Sequence, residues 1–393
     1  MKKEKLLELL PKILSYVLVA VLTATGTLAV VIANISAFGG GSKLDVLENL
    51  ILDKFIGTAD KTAIEDAAAD AMVNALGDRW SYYIPAKEYA KYQEQKKNSY
   101  VGIGITIQQR SDGAGLDIVE VVPGTSAEEV GLQAGDILLA VEGQKVQDLT
   151  MEQVKNMIRG EEGSQVEIRV LCDGEELDLT VTRCQVPTIV AKGQMLEGNI
   201  GIVRIVNFND NCAKETIAII EGLVAQGAEK LIFDVRNNPG GYVSELVAVL
   251  DYLLPEGVLF QSEDYAGEKD VQYSEASCLN LPMAVLVNGN SYSAAEFFAA
   301  TLWEYEAGLV VGEQTSGKGY FQYTFELPDG SAVGLSTGKY YTSKGASLTD
   351  VGVTLDVLVP VDAQTAAAIR GGTLEYAKDP QVQAAVNALK LHK

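Results

Sequence analysis

Histidine is almost absent from this sequence. The single imidazole, that of His392, belongs to the penultimate residue of 393 and stands in a polar tail that we expect to fray. Ser-His-Asp triads, Cys-His pairs and His-Glu-x-x-His zinc sites each need an imidazole held in place by surrounding structure. The sequence therefore excludes these three kinds of site, and a hydrolase built on this chain must use another base.

Cysteine is scarce as well. The four cysteines show no Cys-x-x-Cys spacing, which excludes a zinc knuckle and a thioredoxin motif. Cys172 and Cys184 flank one predicted hairpin, but a turn at Asp173-Gly174 pairs Cys172 with Glu175, and this register opposes a disulfide between the two cysteines. We interpret all four cysteines as small packed side chains.

Positively charged residues are outnumbered. There are 31 Lys and Arg residues against 53 Asp and Glu residues, which gives a formal net charge of −22. Such a charge repels phosphate backbones and anionic lipid surfaces, so we expect no nucleic-acid partner. Hydrophobic residues make up 47% and charged residues 21% of the chain, as in a globular protein, and the length predicts two or three modules.

An uncharged, mostly apolar run from Ile13 to Phe38 follows four lysines near the N-terminus. Its length predicts a transmembrane helix, and the lysines predict a cytoplasmic N-terminus with the rest of the chain outside, as in a single-pass protein of the cell membrane. The alternatives are a cleaved secretory signal, for which Ser36-Ala37 offers small residues, and a buried core helix. We favour the anchor because the run is longer than a usual signal core.

The residue pattern changes four times after this run. Apolar residues recur near helical spacing, then short strands alternate around a helix predicted over Met151–Ile158, then strands and helices alternate, and finally an Ala-rich tail is divided by Pro380. We predict a multidomain protein of mixed α/β and α+β class. Its predicted regions are an N-terminus with a transmembrane helix (1–38), a helical region (43–98), a compact mixed module (99–184), an α/β layer fold (185–362) and a helical tail (363–393).

A serine stands where one apolar strand gives way to an apolar helix. Ser293 is placed at the predicted helix entrance, and Glu296 follows three residues later. A capping box explains this spacing without any catalysis. A strand-to-helix turn would also expose Ser293, while the free amide of Ala294 at the helix N-terminus stabilises an oxyanion. Both interpretations need the same geometry.

A lysine between two glycines follows the next buried strand. Lys318 lies in Gly312–Gly319 and is, on the simplest interpretation, a solvated loop residue. A lysine pKa of about 10.4 prevents proton uptake at neutral pH unless burial or nearby positive charge lowers it. Tyr320 and Phe321 offer an apolar wall, and Gln322 offers a hydrogen bond that would orient the amine.

Two glycine-rich segments favour backbone contacts with a ligand. In Asp234–Gly241, a Gly240 or Gly241 amide is a candidate second oxyanion donor, although Pro-Gly also marks plain turns. Earlier in the chain, Tyr100–Ile105 precedes an extended apolar segment, and its clustered amides are candidates for binding a terminal carboxylate. The candidate peptide-binding residues are Gly102, Ile103, Gly104 and Ile105.

Together these segments resemble the carboxyl-terminal processing proteases, also called tail-specific proteases, from about Asp45 to Leu358. The resemblance implies a PDZ domain over 99–184 and a crotonase-like α/β serine protease core over 185–362. The family's Ser-Ala-Ser-Ala-Ser-Glu is similar to Ser291–Glu296, and its Gly-Glu-x-Thr-x-Gly-Lys-Gly to Gly312–Gly319. If the roles of the family's residues apply to this sequence, Ser293 is the nucleophile and Lys318 the base. Gln322 then orients Lys318, and Gly240 and Ala294 form the oxyanion hole.

The function that the resemblance implies is that of a membrane-anchored serine endopeptidase. It would cleave proteins near free, apolar C-termini by a Ser-Lys mechanism, without cofactor or metal, and self-association stays open. Tyr292 and Ala295 depart from the family's usual Ala and Ser; neither removes a catalytic group, but Tyr292 crowds the site. The alternative is a membrane-tethered PDZ receptor that binds protein tails without cutting them.

Overall fold

The computed structural model describes residues 16–27, 42–276 and 278–391, which form two units, 1–77 and 78–393. His392 lies outside the described residues. The described residues of the first unit contain the helices α1 (16–27), α2 (Lys43–Lys54) and α3 (Lys61–Asn74). The start of α2 is fixed by a capping box, because Ser42 Oγ accepts from the Asp45 amide and the Asp45 carboxylate accepts from the Ser42 amide.

The prediction of an N-terminal transmembrane helix is wrong. Within the described ranges, every helix is too short or too polar to cross a membrane. Of the apolar run Ile13 to Phe38, residues 16–27 are described and are helical, whereas a span needs about 20 apolar residues. The rest of the run lies outside the described residues. The membrane partner predicted with this helix has no support there, and the cellular location stays a prediction.

The second unit begins with a short strand and a helix that lead into the predicted PDZ region. The strand β2 pairs antiparallel with β9, so the two ends of this region are joined side by side. Between them lie five strands of an antiparallel sheet, a short sixth strand at its side and two helices. The elements are β1 (Tyr82–Ile84), α4 (Ala86–Lys96), β2 (Ser99–Gly102), β3 (Ile105–Gln109), β4 (Leu116–Val121), α5 (Ser126–Glu129), β5 (Ile137–Val141), β6 (Gln144–Lys145), α6 (Met151–Ile158), β7 (Gln165–Cys172), β8 (Glu175–Thr182) and β9 (Cys184–Pro187).

The predicted hairpin in this region is confirmed. Cys172 pairs with Glu175, and the turn residues Asp173 and Gly174 both have positive φ, as a tight two-residue turn requires. Alternate residues of β7 are buried, which is the period of a strand with one face on the core. The cysteines of the described chain are free thiols: Cys212 is buried, Cys172 and Cys184 are half-buried, and Cys278 is exposed, so the interpretation as a packed side chain is wrong for Cys278.

The strands and helices that follow form a layered α/β core. One sheet has the order β10-β11-β12-β15-β16-β19, in which β10 is antiparallel to β11 and the other neighbours are parallel. Helices α7, α8 and α9 pack on one face and α11 on the other. The elements are β10 (Ala191–Leu196), β11 (Ile200–Ile205), α7 (Cys212–Ala225), β12 (Lys230–Asp234), α8 (Val243–Leu253), β13 (Gly257–Asp264), β14 (Lys269–Ser274), β15 (Met283–Val287), α9 (Ala294–Glu304), β16 (Gly308–Gly312), β17 (Tyr320–Glu326), β18 (Ala332–Tyr341), β19 (Val357–Leu358), α10 (Ala363–Gly371) and α11 (Pro380–Leu391).

A second, antiparallel sheet lies beside this core. It has the order β1-β18-β13-β14, with β17 also paired to β18. Through this sheet the chain just before β1 is brought to the part of the core that carries Lys318, since Tyr82 pairs with Gly334 and Tyr320 with Lys339. The carboxyl ends of parallel strands share one edge of a sheet. The loops after β12, β15 and β16 therefore meet, and they contain the residues singled out in the sequence.

Candidate active site

Ser293 stands at the entrance of α9 in a strained backbone conformation. Its φ of 58° and ψ of −127° lie in a region that side-chain-bearing residues rarely adopt. The turn is held because the amides of Glu296 and Phe297 donate to the Ser293 carbonyl at 2.8 and 3.1 Å. Such strain clusters at functional sites, where the surrounding structure fixes the conformation.

Ser291, two residues earlier, has a different environment. It is completely buried, its Oγ donates to the Val235 carbonyl at 2.7 Å, and the Asn288 amide donates to the same Oγ at 3.1 Å. These bonds join the loop after β12 to the loop after β15. Its hydroxyl is thus committed to holding two loops together, and of the two serines the geometry favours Ser293 as a reactive group.

Glu296 joins the serine turn to the lysine loop. Its side chain is fully buried. Oε1 accepts from Thr315 Oγ1 at 2.6 Å and from the Gly317 amide at 2.7 Å. Oε2 accepts from the Lys318 amide at 2.8 Å and from the Ser293 amide at 3.1 Å. Burial raises the pKa of Glu296, and these four bonds act in the opposite sense. The capping interpretation of this residue captured only its bond to Ser293.

We expect Glu296→Gln to lower kcat/KM on the order of 10²-fold, the cost of a misplacement of about 1 Å in catalytic geometry. In this variant an NH2 group that replaces Oε2 faces the amides of Ser293 and Lys318. Both amides then lose their acceptor in a buried place. The expected loss in free energy of unfolding is about 1–3 kcal/mol. Peptide cleavage and thermal unfolding measure the two effects.

Glu304, on the same helix, provides a matched control. It is also buried, and it accepts from Thr342 Oγ1 at 2.6 Å, from the Lys344 amide at 2.8 Å and from the Ser343 hydroxyl. Its partners are outside the two loops, so Glu304→Gln should lower stability by a similar amount while activity is kept. Equal activity losses in the two variants would mean that Glu296 acts only through stability.

The amine of Lys318 lies against two aromatic rings. Nζ is 4.8 Å from the Trp80 ring centroid and 5.9 Å from that of Tyr292. Burial, and after it the charge of Lys96, lowers the pKa of Lys318 to about 8, while the carboxylates of Asp78 and Glu296 act in the opposite sense. At pH 7 roughly a tenth of the amine is then neutral. A lysine in this state is able to accept a proton from a hydroxyl.

Gly240 closely approaches Ser293. Its φ is +84°, and a Cβ there would lie 2.8 Å from Ser293 Cβ and 3.0 Å from the Ala294 nitrogen, so glycine is required. The Gly240 amide donates to Asn238 Oδ1 at 2.8 Å in this conformation. Across the described ranges, the amides of Ala294 and of Gly241, the other donor considered above, have no hydrogen-bond partner.

Gln322 lies on β17 and is bonded away from the lysine. Its Nε2 donates to Ser336 Oγ at 2.9 Å and to the Tyr320 carbonyl at 3.3 Å. Its role in orienting Lys318 stays a prediction.

The candidate peptide-binding loop, Gly102–Ile105, borders a cavity of about 210 Å³ beside α6. Gly104 has φ +92°, and a Cβ there would lie 2.0 Å from Thr125 Oγ1. Ile103 is buried in the hydrophobic core of this region, so its backbone, not its side chain, is offered to a ligand. Two cations, Lys155 and Arg159, line the same cavity.

A buried ionic network lies behind the Gly240 loop and was not foreseen. Arg236 Nη2 bonds to Asp234 Oδ2 at 2.7 Å, and Arg236 Nη1 bonds to Asp379 Oδ2 at 2.8 Å. Gln381 at the start of α11 accepts from the same Nη1 at 2.9 Å. The tail, from which the sequence indicated no role, therefore supports the loop after β12. The sequence signal was an Asp-x-Arg motif at the end of a buried strand.

The chain matches two family models and is similar to several known proteins. Residues 199–359 match the model of peptidase family S41, and residues 118–171 match that of the PDZ domain. The chain is 31% identical over 316 residues to the carboxy-terminal processing protease CtpA of Bacillus subtilis, covering 79% of this chain and 67% of that protein. It is 28% identical over 351 residues to the carboxyl-terminal-processing protease of Synechocystis, covering 84% and 81%. The solved structure of the photosystem II D1 C-terminal processing protease is 27% identical, with a TM-score of 0.47 over 88% of this chain and 94% of that one.

A core of this kind with an attached PDZ domain defines a serine-type peptidase. More particularly, the chain belongs to peptidase family S41, with the carboxyl-terminal processing proteases. The family resemblance inferred from the sequence motifs is thereby confirmed, and so is the assignment as an enzyme.

Proposed function

We propose that this peptidase cleaves proteins near their C-termini with Ser293 as nucleophile and Lys318 as general base. One observation carries the assignment: the amides of Ser293 and Lys318 donate to the same buried carboxylate, that of Glu296. The loops that follow two different strands are thus held at a fixed distance from each other. A nucleophile and a base need such fixed proximity.

In the proposed reaction, the neutral Lys318 amine takes the proton of Ser293 Oγ as that oxygen attacks the peptide carbonyl. The ammonium then returns the proton to the leaving amine, and water hydrolyses the acyl-enzyme by the same route. The Ala294 amide, which has no partner among the described residues, donates to the oxyanion, and Gly240 does so once its amide leaves Asn238. Gln322 orients the amine after it leaves Ser336. No cofactor enters these steps.

Covalent labelling tests this proposal. A fluorophosphonate probe should form one adduct, and peptide mapping by mass spectrometry should place it on Ser293. Labelling should be faster at pH 9 than at pH 7, because the neutral fraction of Lys318 increases through a pKa of about 8. An adduct on another serine, or labelling that survives unchanged in Lys318→Ala, would overturn the assignment. A PDZ receptor without catalysis would give neither adduct nor fragments.

We further propose that the cavity beside α6 binds the free C-terminus of the substrate. A peptide strand next to Gly102–Ile105 would bond through its main chain and place its carboxylate at the loop amides. Arg159 and Lys155 add positive charge there, and the Arg159 guanidinium is held 4.6 Å from the Tyr100 ring centroid. Ile105, Ile107 and Ile158 line the same cavity, which favours an apolar last residue.

Amidating the substrate's C-terminus should lower kcat/KM about tenfold or more, because hydrogen bonds to a charged group contribute about 1.5–3 kcal/mol. A substrate ending in Asp-Asp should also be cleaved more slowly than one ending in Ala-Ala. The comparison uses one unfolded protein well below saturation. Equal rates for the three tails would mean that this cavity does not read them.

Two glycine variants sharpen this test. Gly104→Ala should make the enzyme indifferent to amidation, since the new Cβ would collide with Thr125. Gly113→Ala is the matched control: its φ is also positive, at +70°, but a Cβ there meets no atom within 4 Å. If Gly104→Ala still distinguishes the free from the amidated tail as Gly113→Ala does, the loop is not the binding site.

A further inference from the structure

The surroundings of the Lys318 amine are unusual for a charged group. Within the described chain, its Nζ makes neither a hydrogen bond nor an ion pair. It faces the rings of Trp80 and Tyr292, whose centroids are 5.7 Å apart at an interplanar angle of 39°, so the two rings also contact each other. Together they form a continuous apolar surface beside the amine, which we call the aromatic wall.

Both members of the aromatic wall are held by contacts with the catalytic loops. Arg79 lies 4.3 Å from the Trp80 ring centroid, and its Nη2 donates to the Ser316 carbonyl at 2.7 Å, so Trp80 is fastened to the loop that carries Lys318. Tyr292 immediately precedes Ser293, and its amide donates to the Asn238 carbonyl at 3.2 Å. The wall is therefore part of the same assembly as the nucleophile and the oxyanion loop.

We propose that Trp80 and Tyr292 are positioning residues that exclude water from the Lys318 amine and thereby keep it able to accept the Ser293 proton near neutral pH. This proposal rests on the proposed function of Ser293 and Lys318. It assigns a role to Tyr292, one of the two residues at which this chain departs from the family's usual motif.

Several charged groups act on the same amine. Lys96, at the end of α4, favours the neutral form; Asp78, before β1, and Glu296, on α9, favour the ammonium form. Arg79 is positive and contacts the wall through Trp80. The ring faces themselves attract an ammonium group. Burial has the largest effect, and it opposes the rings and the two carboxylates by favouring the neutral amine. The pKa of Lys318 therefore falls from 10.5 to about 8.

Removing part of the wall should rehydrate the ammonium form and raise the pKa of Lys318. In Tyr292→Ala and Trp80→Ala, the acid limb of the kcat/KM profile should therefore move to higher pH by about one unit. One unit corresponds to a tenfold loss at pH 7. Activity should approach the wild-type level near pH 10. Tyr292→Phe keeps the ring and should restore the wild-type midpoint, since the wall needs no hydroxyl.

Tyr265→Ala is the control substitution, because Tyr265 is 86% exposed in the turn between β13 and β14 and should change neither midpoint nor rate. A second measurement does not depend on catalysis: the 13Cε shift of Lys318 is titrated in Ser293→Ala protein, with Lys318→Arg identifying the signal. Its midpoint should rise in Tyr292→Ala. An unchanged midpoint in this titration would overturn the proposal. Activity of Ser293→Ala would instead overturn the proposed function, while a raised midpoint would still show that the rings exclude water from the amine.

Discussion

Ser293→Ala should lose at least about 10³-fold in kcat/KM, the largest effect expected of any single change in this chain. The remaining groups still bind and polarise the substrate, but no nucleophile stands beside the Ala294 amide. In hydrolases that use a serine nucleophile, loss of that serine leaves only the catalysis that the oxyanion hole and substrate binding supply. Cleavage of an unfolded protein, followed by gel and by peptide kinetics, measures it.

Ser291→Ala is the matched control for this change. It removes a buried hydroxyl with bonds to Val235 and Asn288, so we expect a loss of about 1–3 kcal/mol in the free energy of unfolding. The folded fraction should keep most of its activity, because Ser291 Oγ points into those bonds and not toward a substrate. Retained cleavage in Ser293→Ala, or loss of cleavage in Ser291→Ala without loss of stability, would refute the assignment.

Lys318→Arg should be as inactive as Lys318→Ala, with kcat/KM reduced on the order of 10²–10⁴-fold, the usual contribution of a general base. Arginine keeps the positive charge and the contact with Trp80, but a guanidinium stays protonated at any usable pH. The variant therefore separates charge from proton transfer. Kinetics between pH 6 and 10 give the comparison.

The control here is Lys339→Arg, an exposed lysine on β18. It should behave as the wild type over the whole pH range. Substantial activity in Lys318→Arg would show that some other group accepts the proton of Ser293, and the aromatic wall would then lose its proposed role as well.

The sequence was most informative where structure is local. The helix Met151–Ile158 has the predicted bounds, because its apolar residues have the spacing of an amphipathic helix between a cap and a loop. Ser293 was placed correctly at the entrance of α9 for the same reason. Which catalytic roles these residues have stays a prediction that the experiments above test.

Pairing between strands that lie far apart in the chain could not be predicted from the sequence. The sequence gives no sign that Tyr82 pairs with Gly334, and without that pairing Trp80 cannot be placed beside Lys318. The second sheet was missed because strands such as β17 are only partly buried and show no clean alternation. The hydrogen bonds of Glu296 to the Lys318 loop were missed because the partners lie about 20 residues further along the chain.

The transmembrane prediction failed for a related reason. Hydropathy over Ile13 to Phe38 measures composition along the run, but a span also needs one continuous helix of sufficient length. Among the residues that the structure describes, no helix is both long and apolar enough to span a membrane.

The pairing of β2 with β9 has a consequence for how such enzymes diversify. Gly102 and Cys184 face each other across this ribbon, so the chain leaves the catalytic core and returns to it at one point. Everything between these residues is a cassette with adjacent ends. Exchange of the cassette for another would not require rerouting the remaining chain, because the distance to be closed is only that between two paired strands. Under the proposed function, in which the cassette selects the substrate, substrate choice would change with the cassette while bond cleavage would stay constrained by the loops around Glu296.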